Sequence, residues 1–346
     1  MHPTAEPDTL PARRFAPRPG DRLAALDLGT NNCRLLVVEV GVEGSTVVDS
    51  FSRIVRLGEG LSRRERLSEP AMARTLAALK VCARIIARHR VAAARCVATE
   101  ACRRAANGAD FLRRVRRVTG LELEILAHEE EARLAMLGCL PLADPAADQL
   151  LVVDIGGGST DLLWLDRRAD PADDEPGTAL SLPLGVVTLA ETYGRDIDPP
   201  TYGRMVEHVH GRLAALGRDG PLCAGLNGAT VEMLGTSGTV TTLAALHIGL
   251  RRYDRSKVDG LRLPFAVIRS VAEGLRAIDN AARAAHPCIG QGRADLVVAG
   301  CAILDAVHRM VPVESLRVAD RGLREGILAA LMGGSLRDAL RGQAAA

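Results

Sequence analysis

Lysine is nearly absent from this 346-residue chain. Lys80 and Lys257 are the only two, so almost all of the 44 basic residues are arginine. That bias reflects overall composition, and no single arginine gains a functional role from its presence alone. Aromatic residues are scarce too, at 2%, which argues against the base-stacking platforms that hold single-stranded nucleic acid. A net charge of +2 excludes a global polycation, so nucleic acid is not an expected partner. No apolar run approaches the roughly 20 residues that span a bilayer; the longest, such as Leu35–Val38 and Leu150–Val153, are strand-sized. Residues 1–20 hold Pro3, Pro7, Pro11, Pro17 and Pro19 but no apolar signal core, and read as a tail rather than a secretory leader. The eight cysteines, Cys33, Cys82, Cys96, Cys102, Cys139, Cys223, Cys288 and Cys301, form no CxxC pair. They are expected to be reduced core residues of a cytoplasmic protein, not a disulfide or zinc framework.

What remains is the balance of a globular protein, 47% hydrophobic and 25% charged, long enough for two domains. From Arg22 the pattern turns strand-like: LAALDLG, a turn at Thr30–Asn32, then RLLVVEV, with a third strand over 47–57. Ser68 to His89 has helical spacing, with Ser68 as N-cap and Pro70 in the first turn. A short strand at 95–98, a helix at 110–119, a strand at 122–126 and a helix at 129–138 follow. Segments of linker composition lie at 140–147, a domain boundary, and at 166–177, a hairpin loop. The domains expected are 21–145 and 146–335, the last helix packing back on the first domain, with a second tail at 336–346.

An internal repeat carries the most information. LAALDLGTNNCRLLVVEV (23–40) and LLVVDIGGGSTDLLWLD (150–166) share one plan: an apolar run, Asp-x-Gly, a polar turn and a second apolar run. Asp27 and Asp154 lie 127 residues apart, and Leu35-Leu36 and Leu162-Leu163 follow them at one offset. Two strand–turn–strand devices imply two similar α/β domains facing across a cleft.

Each turn is suited to phosphate. Gly156, Gly157 and Gly158 remove side chains, so successive backbone N–H groups can line one concavity, a nest for anions. Ser159 and Thr160 add hydroxyls. Asp154 and Asp161 flank the turn, and carboxylates beside a phosphate pocket suit Mg²⁺, with Mn²⁺ as a substitute. The first turn has one glycine but offers Thr30, Asn31, Asn32 and Cys33, with Arg34 opening the return strand. Thr99-Glu-Ala-Cys-Arg103 follows a strand and places an arginine at the cleft rim, where it can grip phosphate bidentately. Between Arg84 and Arg117 ten arginines face only Glu100 and Asp110, a field that would draw polyanions. Glu129, Glu130 and Glu131 open a helix. Dipole compensation accounts for one or two of them; another can act on water as general base. Leu234-Gly-Thr-Ser237-Gly238-Thr precedes a helix and forms a third anion site.

In order along the chain, Asp-Leu-Gly-Thr-Asn-Asn (27–32), Ala-Thr-Glu-Ala-Cys-Arg (98–103), Glu-Glu-Ala-Arg-Leu (130–134), Asp-Ile-Gly-Gly-Gly-Ser-Thr (154–160), Gly-Thr-Ser-Gly-Thr (235–239) and Asp-Arg-Gly-Leu-Arg-Glu-Gly (320–326) resemble the exopolyphosphatase/guanosine-pentaphosphate phosphohydrolase (Ppx/GppA) family. The resemblance spans about 22–335 and matches the short, two-domain members. It implies two ribonuclease-H-like domains of the actin-like ATPase superfold, phosphate held by both glycine turns, and Mg²⁺ near the second. It places the catalytic glutamate on Glu131, with Glu130 the competing neighbour, the phosphate-binding arginine on Arg103, and the metal-site acids on Asp154 and on Asp161, where many members have Glu. Asn31-Asn32 stands where members commonly have Asn-Ser. The expected activity is Mg²⁺-dependent release of terminal orthophosphate from inorganic polyphosphate, with guanosine pentaphosphate as the alternative substrate and a homodimer allowed. An actin-fold kinase and a non-catalytic sensor are remoter readings, disfavoured by the glutamate helix and by the presence of Glu131.

Overall fold

The structure, a computed structural model, describes residues 16–168, 177–194, 197–217 and 229–344. Most of the expected N-terminal tail, most of the 166–177 loop and Cys223 fall outside the described residues.

Two mixed sheets are built to one plan. The first has the order β3-β2-β1-β4-β5, from β1 (Arg22–Leu28), β2 (Asn32–Val40), β3 (Ser45–Ile54), β4 (Ala93–Ala98) and β5 (Leu123–Ile125). β1, β2 and β3 form an antiparallel meander, and β4 and β5 continue parallel to β1. The second has the order β10-β11-β9-β6-β7-β8, from β6 (Gln149–Ile155), β7 (Thr160–Asp166), β8 (Thr178–Leu182), β9 (Val231–Thr236), β10 (Arg262–Pro264) and β11 (Ser315–Ala319). Again a meander, β6-β7-β8, is followed by strands parallel to its first member. β1, β2, β6 and β7 read as nearly unbroken apolar runs because both faces are covered. Outside the first sheet lies the helix Glu69–Arg88, whose N-cap Ser68 accepts a hydrogen bond from the Ala71 amide, with Pro70 in the first turn.

The repeat holds at the level of register. Asp27 pairs with Arg34 across β1–β2, and Asp154 pairs with Asp161 across β6–β7. Gly29 N–H donates to Asn32 O at 2.9 Å, and Gly156 N–H to Ser159 O at 2.9 Å.

Between the sheets cross two helices, His128–Cys139 and Leu323–Leu331. The first follows β5 and the second follows β11, so they are counterparts. Leu323, Ile327 and Leu328 join the core of the first sheet beside Leu23, Ala25 and Leu36, whereas Ala132, Met136 and Cys139 join Leu150, Val152 and Leu163 of the second. Each helix therefore packs on the other half's sheet. Gly138 and Gly326 allow this crossing. A methyl at Gly326 would land on the carbonyl of Leu134, and one at Gly138 on the carbonyl of Gly322. The segment read as a C-terminal tail is instead the helix Leu336–Ala344. Its stripe of Leu336, Ala339 and Leu340 packs into the core beneath the Glu131 helix. Further links tie the halves: Arg56 pairs with Asp295 at 3.0 Å, and Glu191 accepts from Gly60 N–H at 2.8 Å and from Ser62 Oγ at 2.6 Å.

Candidate active site

The two hairpin turns meet. A methyl at Gly157 would lie 3.1 Å from Thr30 Cβ and from Asn31 Cβ, and 3.2 Å from the Asn31 amide; at Gly158 it would lie 2.7 Å from Thr30 Oγ1. Glycine is therefore needed because one turn presses against the other. Four of their carbonyls are already used. Thr30 O accepts from Gly58 N–H, Asn31 O from Val55 and Arg56, Gly156 O from Val186 and Gly157 O from Val187. The amides of Thr30, Asn31, Gly157 and Gly158 have no acceptor among the described residues. Acceptors satisfied and donors left over is the signature of an anion nest. Asn31 Oδ1 and Asn32 Oδ1 on the first turn and Ser237 Oγ on the third are each buried without a hydrogen-bond partner.

Carboxylates surround this junction. Asp27 and Asp154 are each the last residue but one of equivalent strands. Burial raises Asp27, against the charges of Arg34 and Arg324. Burial, then the charge of Asp161, pushes Asp154 up to about 7, with Arg34 opposing. Asp161 is also raised by burial, although Ser181 and Ser159 donate to its carboxylate. Arg34 is felt by both Asp27 and Asp154, as expected of a cation between the turns.

Geometry separates the glutamates. Glu131 lies against Arg103 (Nη2 to Oε2, 3.0 Å) and is pushed up to about 8 by burial first and by Asp161 second. Glu130 turns away to Arg95 and Arg133; its partial burial is outweighed and its carboxyl sits below the ordinary range. Glu129 has no side-chain hydrogen bond or ion pair among the described residues.

Three residues that sequence reasoning passed over complete the arrangement. Ser181 on β8 donates to Asp161 and stands 2.9 Å from His128 Nδ1. His128 Nε2 is 3.4 Å from Glu100 Oε2, and Glu100, 3% exposed, accepts from Arg103 Nη2 at 3.1 Å. The chain Asp161–Ser181–His128–Glu100–Arg103–Glu131 thus runs unbroken between the two halves. Glu100, directly after a buried strand, was the available signal.

Other predicted groups are placed differently. Arg103 lies in the short helix Glu100–Arg104 and also donates to Leu126 O. The Cys33 side chain turns into the core, 3.9 Å from Cys82 Sγ, so only its backbone could meet a ligand. Ser159 Oγ is committed to Asp161 and Thr160 Oγ1 to Leu184 O at 2.8 Å, so these hydroxyls shape the turn and are not free donors. Ser237, at φ 93°, and Gly238 follow β9, whose Thr236 is paired with Asp154. This brings the third turn beside the second. The arginine-rich 84–117 segment is largely neutralised by acids from elsewhere: Arg88 by Asp49, Arg95 by Glu124 and Glu130, Arg114 by Glu69 and Arg116 by Glu122. Counting charge within the segment could not reveal these partners.

Two equivalent α/β domains facing across a cleft, with paired hairpin turns at one register, define two ribonuclease-H-like domains of the actin-like ATPase superfold. The chain belongs to the Ppx/GppA phosphatase family, whose family model matches residues 36–334. It is 31% identical over 328 residues to Exopolyphosphatase 2 of Mycobacterium tuberculosis, an alignment covering 90% of this chain and 99% of that protein. The crystal structure of the Aquifex aeolicus Ppx/GppA family member is 30% identical, with a TM-score of 0.73 over 90% of this chain and 97% of that one. An exopolyphosphatase structure from Cytophaga hutchinsonii shares the fold at a TM-score of 0.81 and 23% identity, over 92% of this chain and 99% of that one.

Proposed function

We propose that the protein is a Mg²⁺-dependent exopolyphosphatase that releases terminal orthophosphate from inorganic polyphosphate. One observation carries the reading: two turns with satisfied Thr30, Asn31, Gly156 and Gly157 carbonyls and free Thr30, Asn31, Gly157 and Gly158 amides meet beside the carboxylates of Asp27, Asp154 and Asp161. The turn amides and Arg34 would bind the terminal phosphoryl groups, and phosphoryl transfer asks mainly for such positioning and charge stabilisation. Glu131, desolvated and oriented by Arg103, would take a proton from the attacking water. The new P–O bond forms to that water as the terminal P–O–P bond breaks. The shortened chain leaves as an anion beside the amide donors.

Mg²⁺ fits the donor set. Asp154 and Asp161 are cross-strand neighbours, the charge of Asp161 raises the proton affinity of Asp154, and a dication would discharge them. No group of three or more His, Cys, Asp or Glu side chains suited to a metal occurs among the described residues. Mg²⁺ takes one or two carboxylates and completes its shell with water and phosphate oxygen. Bound there, Mg²⁺ would neutralise charge developing on the transferred phosphoryl group.

The test is orthophosphate release from polyphosphate, guanosine pentaphosphate and ATP offered side by side with Mg²⁺. Polyphosphate should be the preferred substrate. Preference for guanosine pentaphosphate would move the assignment to the family's other activity, and turnover of none would refute both.

A further inference from the structure

Beside the proposed catalytic cleft, a pocket of about 550 Å³ is lined by the run Leu250 to Arg255 and by Lys257, four cations against the single acid Asp254. Its cations differ from those of the 84–117 segment. Arg251 and Arg252 are exposed, and no acid pairs with either among the described residues. Arg255 is held from behind by Glu325 at 2.7 Å, and Lys257 lies 3.9 Å from Asp254. Tyr253 makes a fixed wall: its hydroxyl donates to Asp320 at 2.7 Å and lies beside Thr241. Thr241 in turn donates to Ser237 O at 2.9 Å. The pocket therefore adjoins the third glycine turn, where Ser237 Oγ lacks a partner and Arg293 approaches Gly238.

We propose that this pocket is a second binding station for inorganic polyphosphate, holding by charge alone the phosphates that run past the third glycine turn. The proposal rests on the exopolyphosphatase reading and adds the substrate's second point of attachment. Its chemistry favours a phosphate chain over a nucleoside, because a base needs apolar walls and a free aromatic face. Here the lining is mainly guanidinium and ammonium, and the one aromatic ring is tethered at its hydroxyl. A linear polyanion crossing two unpaired arginines releases counterions, so the contact should be sensitive to salt.

The double variant Arg251→Ala/Arg252→Ala changes two exposed side chains and should fold normally. KM for long polyphosphate should rise roughly three- to tenfold, from two exposed charge contacts. kcat and the kinetics on tripolyphosphate should stay as in the parent, and the salt dependence of KM for long chains should become shallower. Arg251→Lys/Arg252→Lys should recover most of the loss. An unchanged KM for long chains overturns the proposal, as does a loss confined to guanosine pentaphosphate, which would mark a nucleoside site. Calorimetric binding of long polyphosphate to parent and variant, without turnover, decides the matter separately. Equal affinities refute the pocket even in an active enzyme, and weaker binding by the variant supports it even if hydrolysis is never seen.

Discussion

Replacing Asp154 with asparagine should abolish activity and yet stabilise the metal-free protein. Burial, and then the neighbouring charge of Asp161, raises the Asp154 carboxyl to about 7 from 3.8. Its ionised form is therefore disfavoured in the fold. The stability linked to this group is fully present below the unfolded carboxylate value, near 4, and is lost as pH rises through about 7. At about 1.4 kcal/mol per unit, the cost at pH 8 has an upper bound of about 4 kcal/mol. Cleft water and relaxation of Asp161 reduce it. The asparagine would carry no charge and its amide could donate to Asp161, so Asp154→Asn should gain at least about 1 kcal/mol at pH 8. In a domain of this size that is a rise in Tm of about 2 °C or more. At pH 5 the gain should shrink, because the parent carboxyl is then largely protonated. Mg²⁺ should raise the parent Tm at pH 8 and move the variant little. The assay is thermal unfolding at pH 5 and pH 8, with EDTA or with Mg²⁺. If the variant melts below the parent in EDTA at pH 8, or if Mg²⁺ stabilises both equally, Asp154 is an ordinary structural carboxylate and the metal assignment fails.

Glu131→Gln should lower kcat by roughly 10²- to 10⁴-fold with polyphosphate binding retained, whereas Glu130→Gln, aimed at Arg95 and Arg133, should stay close to the parent. Because Glu131 is raised to about 8 and works as its carboxylate, parent activity should climb with pH toward that value; a pH–rate profile without that limb, or an inactive Glu130→Gln beside a normal Glu131→Gln, would place the base elsewhere. Gly326→Ala puts a methyl on the Leu134 carbonyl, 2.6 Å from its carbon, so the crossing helices must part. Unfolding should report a loss of about 3 kcal/mol or more, and a neutral result would mean the helices do not touch there. His128→Ala frees Ser181 and loosens Asp161, so the Mg²⁺ concentration for half-maximal activity should rise about tenfold. An unchanged Mg²⁺ requirement, with only Tm lowered, would leave His128 a purely structural link.

The duplicated hairpins were legible because they are local: strand, turn and return strand lie within eighteen residues, and the offset from Asp27 and Asp154 survives intact in the pairing register. Ser68, Pro70 and the glutamate helix were legible for the same reason, since caps and dipoles act over one turn. The choice among Glu129, Glu130 and Glu131 was not settled by local pattern. Successive helical residues point about 100° apart, and only the positions of Arg95 and Arg103 show which of them faces the site. Glu100, His128 and Ser181 come from three separate elements, so no spacing could join them. The arginines of 84–117 misled for the converse reason: Asp49, Glu69 and Glu124 approach from elsewhere in the chain. The helix Leu336–Ala344 had a readable stripe, Leu336, Ala339 and Leu340, hidden among the polar residues of a chain end.

The duplication also shows how one backbone device serves two charges. In both hairpins aspartate is the last residue but one of the first strand, the turn is closed by the same amide–carbonyl bond, and the residue paired with that aspartate across the strands follows it at the same offset. At that position the first hairpin carries Arg34 and the second Asp161. Asp27 is thus opposed by a cation and Asp154 by a second anion, which is why Asp161 raises the proton affinity of Asp154 while Arg34 opposes the rise at both aspartates. The first turn is fitted to accept negative charge from substrate, and the second cannot be fully ionised without a positive partner. A phosphate chain bound between them, as proposed, would bring anions to the first and, with its accompanying cation, neutralise the second. On the proposed reading, the single exchange of arginine for aspartate between copies of one hairpin would account for both halves of a site that takes phosphate and metal together.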